Sequence, residues 1–297
     1  MLPQLLINTM ISFSLTFLIG VGYVLVIQIT KINYFIQGAI VSLMAYISWF
    51  WFTFSTLNWV LVCLLNCVFG IILNILLFKI IFKRFYDQKS SFSLMFLVSL
   101  SLVVIFENLI QIIFGANVKV LNLSYLNQSF TVLGAVINLS QIILVVVTWF
   151  IVTILYWLIY KTFLRKKWLA LSQNRKLFCS LGFDLNWNLM LTFGLSGLLA
   201  SIAGICLSLE RSLTPQVGTN LFLTAFVAAS LANYELKYFW LVCLVVSILK
   251  TATVWFLPSG WSDGLVFGLL GVWIALKNLV LISVVLSKAK HLSKSLL

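Results

Sequence analysis

Charged residues are scarce in this chain of 297 residues, and long stretches have none. Asp, Glu, Lys and Arg make up 8% of the sequence, compared with about 25% in soluble domains. No charge occurs in the 47 residues from Ile32 to Phe78 or in the 41 from Val120 to Tyr160. Since about 20 apolar residues suffice for a helix to cross the hydrocarbon core of a bilayer, the sequence predicts a polytopic membrane protein.

Residue types that carry catalysis or bind metals are also rare. The chain has one histidine, His291, with six carboxylates and five cysteines, and it contains no Walker loop, Rossmann glycine fingerprint or Ser-His-Asp set. Cys63 and Cys67 share one face of a predicted helix, but two thiols without histidine or carboxylate company indicate apolar packing. We therefore expect neither an enzyme nor a metal or cofactor site, and the energy for any work comes from another subunit or an ion gradient.

The apolar runs predict an all-α protein of one membrane domain, residues 1–297, with eight or nine segments. The predicted segments are Gln4–Gln28, Ile36–Thr56, Trp59–Phe82, Phe92–Phe114, Thr131–Tyr160, Leu185–Leu209, Leu221–Leu231, Tyr238–Leu257 and Gly264–Leu286. The seventh has 11 residues and follows Pro215 and Gly218. It is too short to cross the bilayer as a regular helix, so we expect a broken or re-entrant segment.

The basic residues lie in alternate loops. Three follow the third segment, six lie between the fifth and sixth, and three lie in the C-terminal tail. Cytoplasmic loops are enriched in Lys and Arg, so this pattern places the N-terminus outside and the C-terminus inside, provided the seventh segment crosses. The net charge of +13 is explained by membrane boundaries and anionic lipid, so we do not expect nucleic-acid binding.

The loop at residues 161–184 is the longest basic connection. Ser172 could cap a short helix that carries Leu177, Phe178 and Leu181 at helical spacing and ends at Gly182. Two interpretations stay open for such a helix. It lies on the lipid surface, or it docks on a partner protein.

Blocks in this loop and elsewhere carry a family resemblance. Gln173 and Asn174 are followed at a fixed distance by Leu181, Gly182 and Phe183. Further blocks agree in order at residues 35–46, 97–115 and 215–228. Together these blocks resemble the LivH-like permeases of the bacterial branched-chain amino acid ABC importers, over most of the chain.

The resemblance implies an inner-membrane subunit of an importer. Its partners would be a paralogous permease, cytoplasmic ATPase subunits that use ATP, and an extracytoplasmic solute-binding protein. The implied coupling residues are Ser172, Gln173, Asn174, Leu177, Phe178, Leu181 and Gly182. The implied substrate-path residues are Tyr34, Gln37, Gly38, Pro215 and Gly218.

Some positions depart from the family pattern. Tyr34 stands where Asn is usual, Glu107 where Gln is common and Lys250 where Glu is common. Glu107 and Lys250 lie at the same predicted depth and could pair, or Lys250 could reach the outer interface while Glu107 is protonated or solvated. An ion-coupled transporter or channel is the alternative function, although Glu107 is the only carboxylate deep in a predicted segment.

The sixth segment carries small residues at steps of three and four: Gly194, Gly197, Ser201 and Gly204. Small side chains let membrane helices approach closely, so we expect them to mark a packing face. A role in the substrate path is the other interpretation.

Overall fold

The computed structural model describes residues 2–275, except 55–57, 89, 122–128, 133–134, 162, 211, 257–263, 270 and 274. The helices are α1 (Leu2–Thr30), α2 (Gln37–Phe54), α3 (Trp59–Leu77), α4 (Lys83–Asp87), α5 (Phe92–Phe114), α6 (Leu139–Lys161), α7 (Phe163–Gln173), α8 (Arg175–Ser180), α9 (Leu185–Glu210), α10 (Val217–Leu231) and α11 (Leu236–Phe256). A π-helical turn, Phe78–Phe82, joins α3 to α4. The strands β1 (Ser129–Val132) and β2 (Ala135–Asn138) form an antiparallel hairpin.

Six of the described helical stretches are long and apolar enough to cross a membrane: Pro3–Thr30, Gln37–Phe54, Trp59–Asp87, Phe92–Phe114, Leu185–Glu210 and Leu236–Trp255. Leu139–Leu155 and Val217–Leu231 are shorter apolar helices. The prediction of an all-α polytopic protein is confirmed. Most of the predicted ninth segment and the basic C-terminal tail lie outside the described residues.

Two predicted segments differ from the observed elements. The segment Thr131–Tyr160 begins in the β-hairpin, and its helix starts only at Leu139. Valines, isoleucine and threonine suit a strand as well as a membrane helix, so apolar composition could not separate the two. The seventh segment begins earlier than predicted, at Val217, and its 15 residues span about 22 Å at 1.5 Å per residue.

The first helix lies at the centre of the bundle. Its residues 13–27 are all buried, and it packs against α6, α9, α10 and α11. A helix that is apolar on every side is expected in such a position. The hydroxyls of Ser14, Thr16 and Thr30 each donate to the carbonyl four residues earlier in α1, so these three hydroxyls are satisfied within the helix.

α3, α5 and α11 lie on the outside of the bundle, each with an exposed apolar face. α3 packs on α9, α5 on α2, and α11 on α1 and α10. On α3, the exposed residues between Trp59 and Leu76 are all apolar, whereas Asn66 and Asn74 are buried. This distribution is typical of a helix whose outer face contacts lipid.

The closest helix contacts occur at small residues. A side chain at Gly197 would overlap the carbonyl oxygen of Gly70 and lie 2.9 Å from the Cβ of Asn74. A Cβ at Gly204 would lie 2.8 Å from the backbone nitrogen of Ala45. α9 therefore touches α3 and α2 nearly backbone to backbone.

Candidate functional site

A buried polar cluster surrounds the start of α2. The side-chain amide of Gln37 donates to the Ser196 carbonyl at 3.3 Å and accepts from the Ser196 hydroxyl at 2.9 Å. Gln37 has no exposed surface, and its two hydrogen bonds satisfy both ends of its amide. The pair joins α2 to the middle of α9, in the apolar interior where an unsatisfied amide would be costly.

Tyr34 lies in the connection before α2, and its hydroxyl reaches α3. Its hydroxyl donates to the side-chain oxygen of Asn74 at 2.8 Å, and Asn74 donates to the Gly70 carbonyl at 3.0 Å. The ring of Tyr34 packs edge-to-face on Phe82 and Phe193. This one residue thereby joins the α1–α2 connection to α3 and α9.

We expect Tyr34→Phe to lower the free energy of unfolding by about 1–3 kcal/mol, because Asn74 keeps a buried acceptor with no donor. Unfolding of the purified chain by SDS from mixed micelles would measure the change. Tyr238→Phe is the control, since Tyr238 is exposed on α11. Equal stability of the Tyr34→Phe variant and the parent would contradict a structural role for this hydrogen bond.

Gly38 and Gly218 form the contact between α2 and α10. A Cβ at Gly218 would lie 2.5 Å from the Gly38 carbonyl oxygen and 2.7 Å from the Ser42 nitrogen. The backbone N–H of Gly218 donates to the Ser42 hydroxyl at 2.8 Å. Pro215 is buried just before α10, where the neighbouring Leu213 carbonyl accepts a hydrogen bond from the Tyr46 hydroxyl at 3.2 Å.

The structure thus brings Gln37, Gly38 and Gly218 together in one region of the bundle. Tyr34 lies on the side of this region that faces α3. Pro215 precedes α10 and lies nearer the C-terminal half of α2. Each of these five predicted path residues is buried in the chain. They make closed contacts between helices in this conformation. A route along them would require α10 to move away from α2.

The predicted coupling helix is divided. Ser172 lies in the last turn of α7, where its hydroxyl donates to the Leu169 carbonyl at 2.9 Å, so the prediction that Ser172 caps the start of a helix is wrong. The break falls at Asn174, between α7 and α8. The predicted start at Ser172 was wrong because residues 163–173 include leucine, lysine and alanine, which favour continuation of the helix through Ser172.

The end of the segment is a tight turn. Gly182 has a φ of +81°, which L-residues rarely adopt, and its N–H donates to the Cys179 carbonyl at 3.0 Å. Phe178 is buried and stacks on Phe183, with ring centroids 5.2 Å apart. Lys167 of α7 lies over the other ring of this pair, 5.1 Å from the Phe183 centroid. α8, which contains Leu177, is therefore folded back against α7.

Asp184 connects this turn to α9. Its carboxylate accepts from the backbone N–H groups of Asn186 at 2.9 Å and Trp187 at 3.4 Å, as an N-cap does. Leu181 and Trp187 nevertheless expose more than half of their surface, 60% and 57%. Gln173 and Asn174 are exposed as well. Apolar and amide side chains are therefore exposed together on this loop.

A cavity of about 640 Å³ lies beside this segment. Its lining includes Trp168, Ser172 and Gln173 of α7, together with Lys31 and Tyr234. Lys31, Asn233 and Tyr234 all have positive φ, and each follows the end of a helix, α1 or α10. Sequence reasoning missed this cavity, because the only signal was a polar residue directly after an apolar run.

Glu107 and Lys250 lie on helices with different neighbours, α5 on α2 and α11 on α1 and α10. No ion pair between these two side chains is seen among the described residues, and their pairing stays a prediction. Both side chains are half-buried. In the described part of the chain, no group of three His, Cys, Asp or Glu residues is placed to hold a metal ion.

Comparison with protein families finds a match over most of the chain. The family described as branched-chain amino acid transport system / permease component matches residues 5–275. No curated protein and no solved structure matches the chain. The matched range includes the buried cluster, the α2–α10 contact and the loop that holds α7 and α8.

Proposed function

Since this chain belongs to the branched-chain amino acid transport permease family, we propose that it is the membrane-spanning subunit of an ATP-driven importer. Its solute is a branched-chain amino acid or a similar small polar molecule. A second permease subunit, cytoplasmic ATPase subunits and an extracytoplasmic solute-binding protein complete the machine. ATP is bound and hydrolysed by the ATPase subunits, and this chain does mechanical work.

The observation that carries the proposal is the construction of the α7–α8 segment. It is folded by the Phe178–Phe183 stack, ends at the Gly182 turn and is joined to α9 through the Asp184 cap. α9 in turn makes the close contacts with α3 and α2. A displacement of the segment by an ATPase would therefore be transmitted into the centre of the bundle.

The proposed orientation follows from the basic residues. The loop at 161–184 is cytoplasmic, which places the N-terminus outside the bacterial inner membrane. The ATPase then meets α8 from the cytoplasm. The lipid-surface interpretation of this helix is the less favourable one, because Phe178, a deeply buried side chain of α8, packs on Phe183 within the loop.

The substrate path is proposed to run along the α2–α10 contact. Gly38 and Gly218 allow the two helices to close completely, and Gln37 and Ser42 supply hydrogen-bonding groups there. Packed helix interfaces tend to have two discrete arrangements rather than a continuous range. ATP binding would favour the arrangement in which α10 is separated from α2.

Reconstitution tests the proposal. The chain is co-purified with its ATPase, placed in proteoliposomes and given the solute-binding protein with radiolabelled leucine. We expect uptake that requires enclosed ATP and solute-stimulated ATP hydrolysis. Uptake by the chain alone, driven by a proton or sodium gradient and indifferent to ATP, would instead support the ion-coupled alternative, with Glu107 as its carboxylate.

A further inference from the structure

One face of α2 contacts several other parts of the chain in turn. Ser42, Tyr46 and Trp49 recur at steps of four and three, which places them on the same face of the helix. The first two side chains are completely buried, and the third is half-buried. This face therefore runs from the interior of the bundle toward the end of α2 that lies outside the membrane in the proposed orientation.

The contacts of this face follow the chain that leads into α10. The Ser42 hydroxyl accepts from the backbone N–H of Gly218 at 2.8 Å, in the first turn of α10. One turn further along α2, the Tyr46 hydroxyl donates to the Leu213 carbonyl at 3.2 Å. α10 therefore begins beside the buried part of α2, and the residues before it run along α2 from the outer side.

A segment between α5 and β1 contacts the chain that leads into α10. We call this segment, residues 116–121, the strap. The indole N–H of Trp49 donates to the Val120 carbonyl at 3.4 Å, and the amino group of Lys119 lies 5.3 Å from the centre of the Trp49 ring. The backbone N–H of Lys119 donates to the Leu213 carbonyl at 3.0 Å, and the Leu213 N–H donates to the Lys119 carbonyl at 2.7 Å. The strap is thus joined both to α2 and to the segment before α10.

The strap is exposed on one side and bridged on the other. Leu213 has no exposed surface, whereas Val118 and Val120 each expose 56% of theirs. The strap forms no helix, and its pairing with Leu213 is a single bridge outside the strands. Because its separation would break a few hydrogen bonds and no regular element, the strap can move without unfolding of the neighbouring helices.

We propose that the strap is the outer gate of the α2–α10 contact, closed in this structure by the Lys119–Leu213 bridge. Leu213 lies five residues before Gly218, so a movement of the start of α10 away from α2 pulls on the Leu213 carbonyl. That carbonyl accepts from both Tyr46 and Lys119. Breaking the bridge frees the segment and opens a route from outside to Ser42. The inference rests on the proposed function, in which α10 separates from α2, and it adds the element that closes this route.

Thiol labelling tests the gate without ATP or solute. The parent first has its five cysteines replaced by alanine: Cys63, Cys67, Cys179, Cys206 and Cys243. Ser42→Cys is then introduced, and spheroplasts are treated with a membrane-impermeant maleimide. Lys119→Pro removes the N–H that donates to Leu213, so we expect about fivefold faster labelling of the buried thiol, which corresponds to the loss of one hydrogen bond.

Two controls separate gating from other effects of the proline. Val118→Pro should label at the rate of the parent, because the Val118 N–H takes no part in the bridge. A thiol at Ser14→Cys, completely buried in α1, should be labelled no faster with Lys119→Pro than without it. Equal labelling of Ser42→Cys with and without Lys119→Pro, or an equal rise at Ser14→Cys, would overturn the proposal.

A disulfide across the bridge tests the closed state without the proline variant. The Cα atoms of a hydrogen-bonded antiparallel pair lie about 5.5 Å apart, so Lys119→Cys and Leu213→Cys should cross-link in the cysteine-free parent. We expect oxidation to reduce uptake by proteoliposomes about tenfold, because only chains that escape cross-linking stay competent, and a reductant to restore it. Phe130→Cys with Ile137→Cys is the matched control, since these residues are paired in the hairpin and their cross-link should leave uptake unchanged.

The outcomes separate the gate from the importer function. Unchanged uptake after complete cross-linking of the bridge would overturn the gate and make the strap a static brace. Absence of ATP-dependent uptake in the reduced variant and in the parent would instead contradict the importer function. The labelling result would then still decide whether the strap closes the α2–α10 contact.

Discussion

Gly197→Ala is expected to cost about 3 kcal/mol of the free energy of unfolding, at the upper end of the range for overpacked cores. The added methyl would overlap the Gly70 carbonyl and approach the Asn74 side chain within 2.9 Å. The obstructing Gly70 atom belongs to the backbone of α3, so no side-chain rotation relieves it. SDS unfolding from mixed micelles measures the loss, together with the yield of folded protein after purification.

Gly194 supplies the control on the same face of α9, one turn earlier. A Cβ there would lie 3.4 Å from the Cδ1 atom of Ile75, which is ordinary contact with a flexible side chain. We expect Gly194→Ala to change stability by less than about 0.5 kcal/mol, as most unobstructed substitutions do. If the two variants lose equal stability, the α3–α9 contact is not held by backbone proximity at Gly197.

The second large effect is expected at the end of the α7–α8 segment. Gly182→Ala should reduce ATP-dependent uptake at least about tenfold, since a side chain at this φ costs roughly 1–3 kcal/mol and moves the turn between Leu181 and Phe183. No heavy atom lies within 4 Å of the added Cβ. The effect would therefore come from backbone conformation alone. Uptake and solute-stimulated ATP hydrolysis in proteoliposomes are the measurements.

Gly115→Ala isolates that effect from a general loss of stability. Gly115 has a φ of +83° and, like Gly182, no atom within 4 Å of the position that an added methyl group would occupy. It ends α5 at the opposite side of the membrane. We expect Gly115→Ala to leave the coupling of ATP hydrolysis to solute unchanged. If both variants reduce coupling equally, or if neither does, the α7–α8 segment is not the element that the ATPase moves.

The membrane segments could be predicted closely where polar residues bound an apolar run. α5 begins and ends where the sequence predicted, because Ser91 caps its start by accepting from the Leu94 N–H and Gly115 ends it. The α7–α8 break was not predictable, since Ser172 suits a helix end as well as a helix start. The hairpin at residues 129–138 was missed because its apolar, β-branched residues also suit a membrane helix.

The candidate site was predictable in composition and not in geometry. Small and polar residues at Gln37, Gly38 and Gly218 were identified from the sequence, but their hydrogen-bond partners Ser196 and Ser42 were not. These partners lie 159 and 176 residues away in the chain. No local pattern specifies which of many buried serines meets which amide.

The central position of α1 has a consequence for biogenesis. The helices that surround it most closely, α9, α10 and α11, begin more than 150 residues after α1 ends. During synthesis, α1 therefore waits in bulk lipid before its final neighbours exist. The hydroxyls of Ser14, Thr16 and Thr30 are already bonded to carbonyls of their own helix, so these three groups need no later partner while the nascent segment waits for the later helices to displace the lipid.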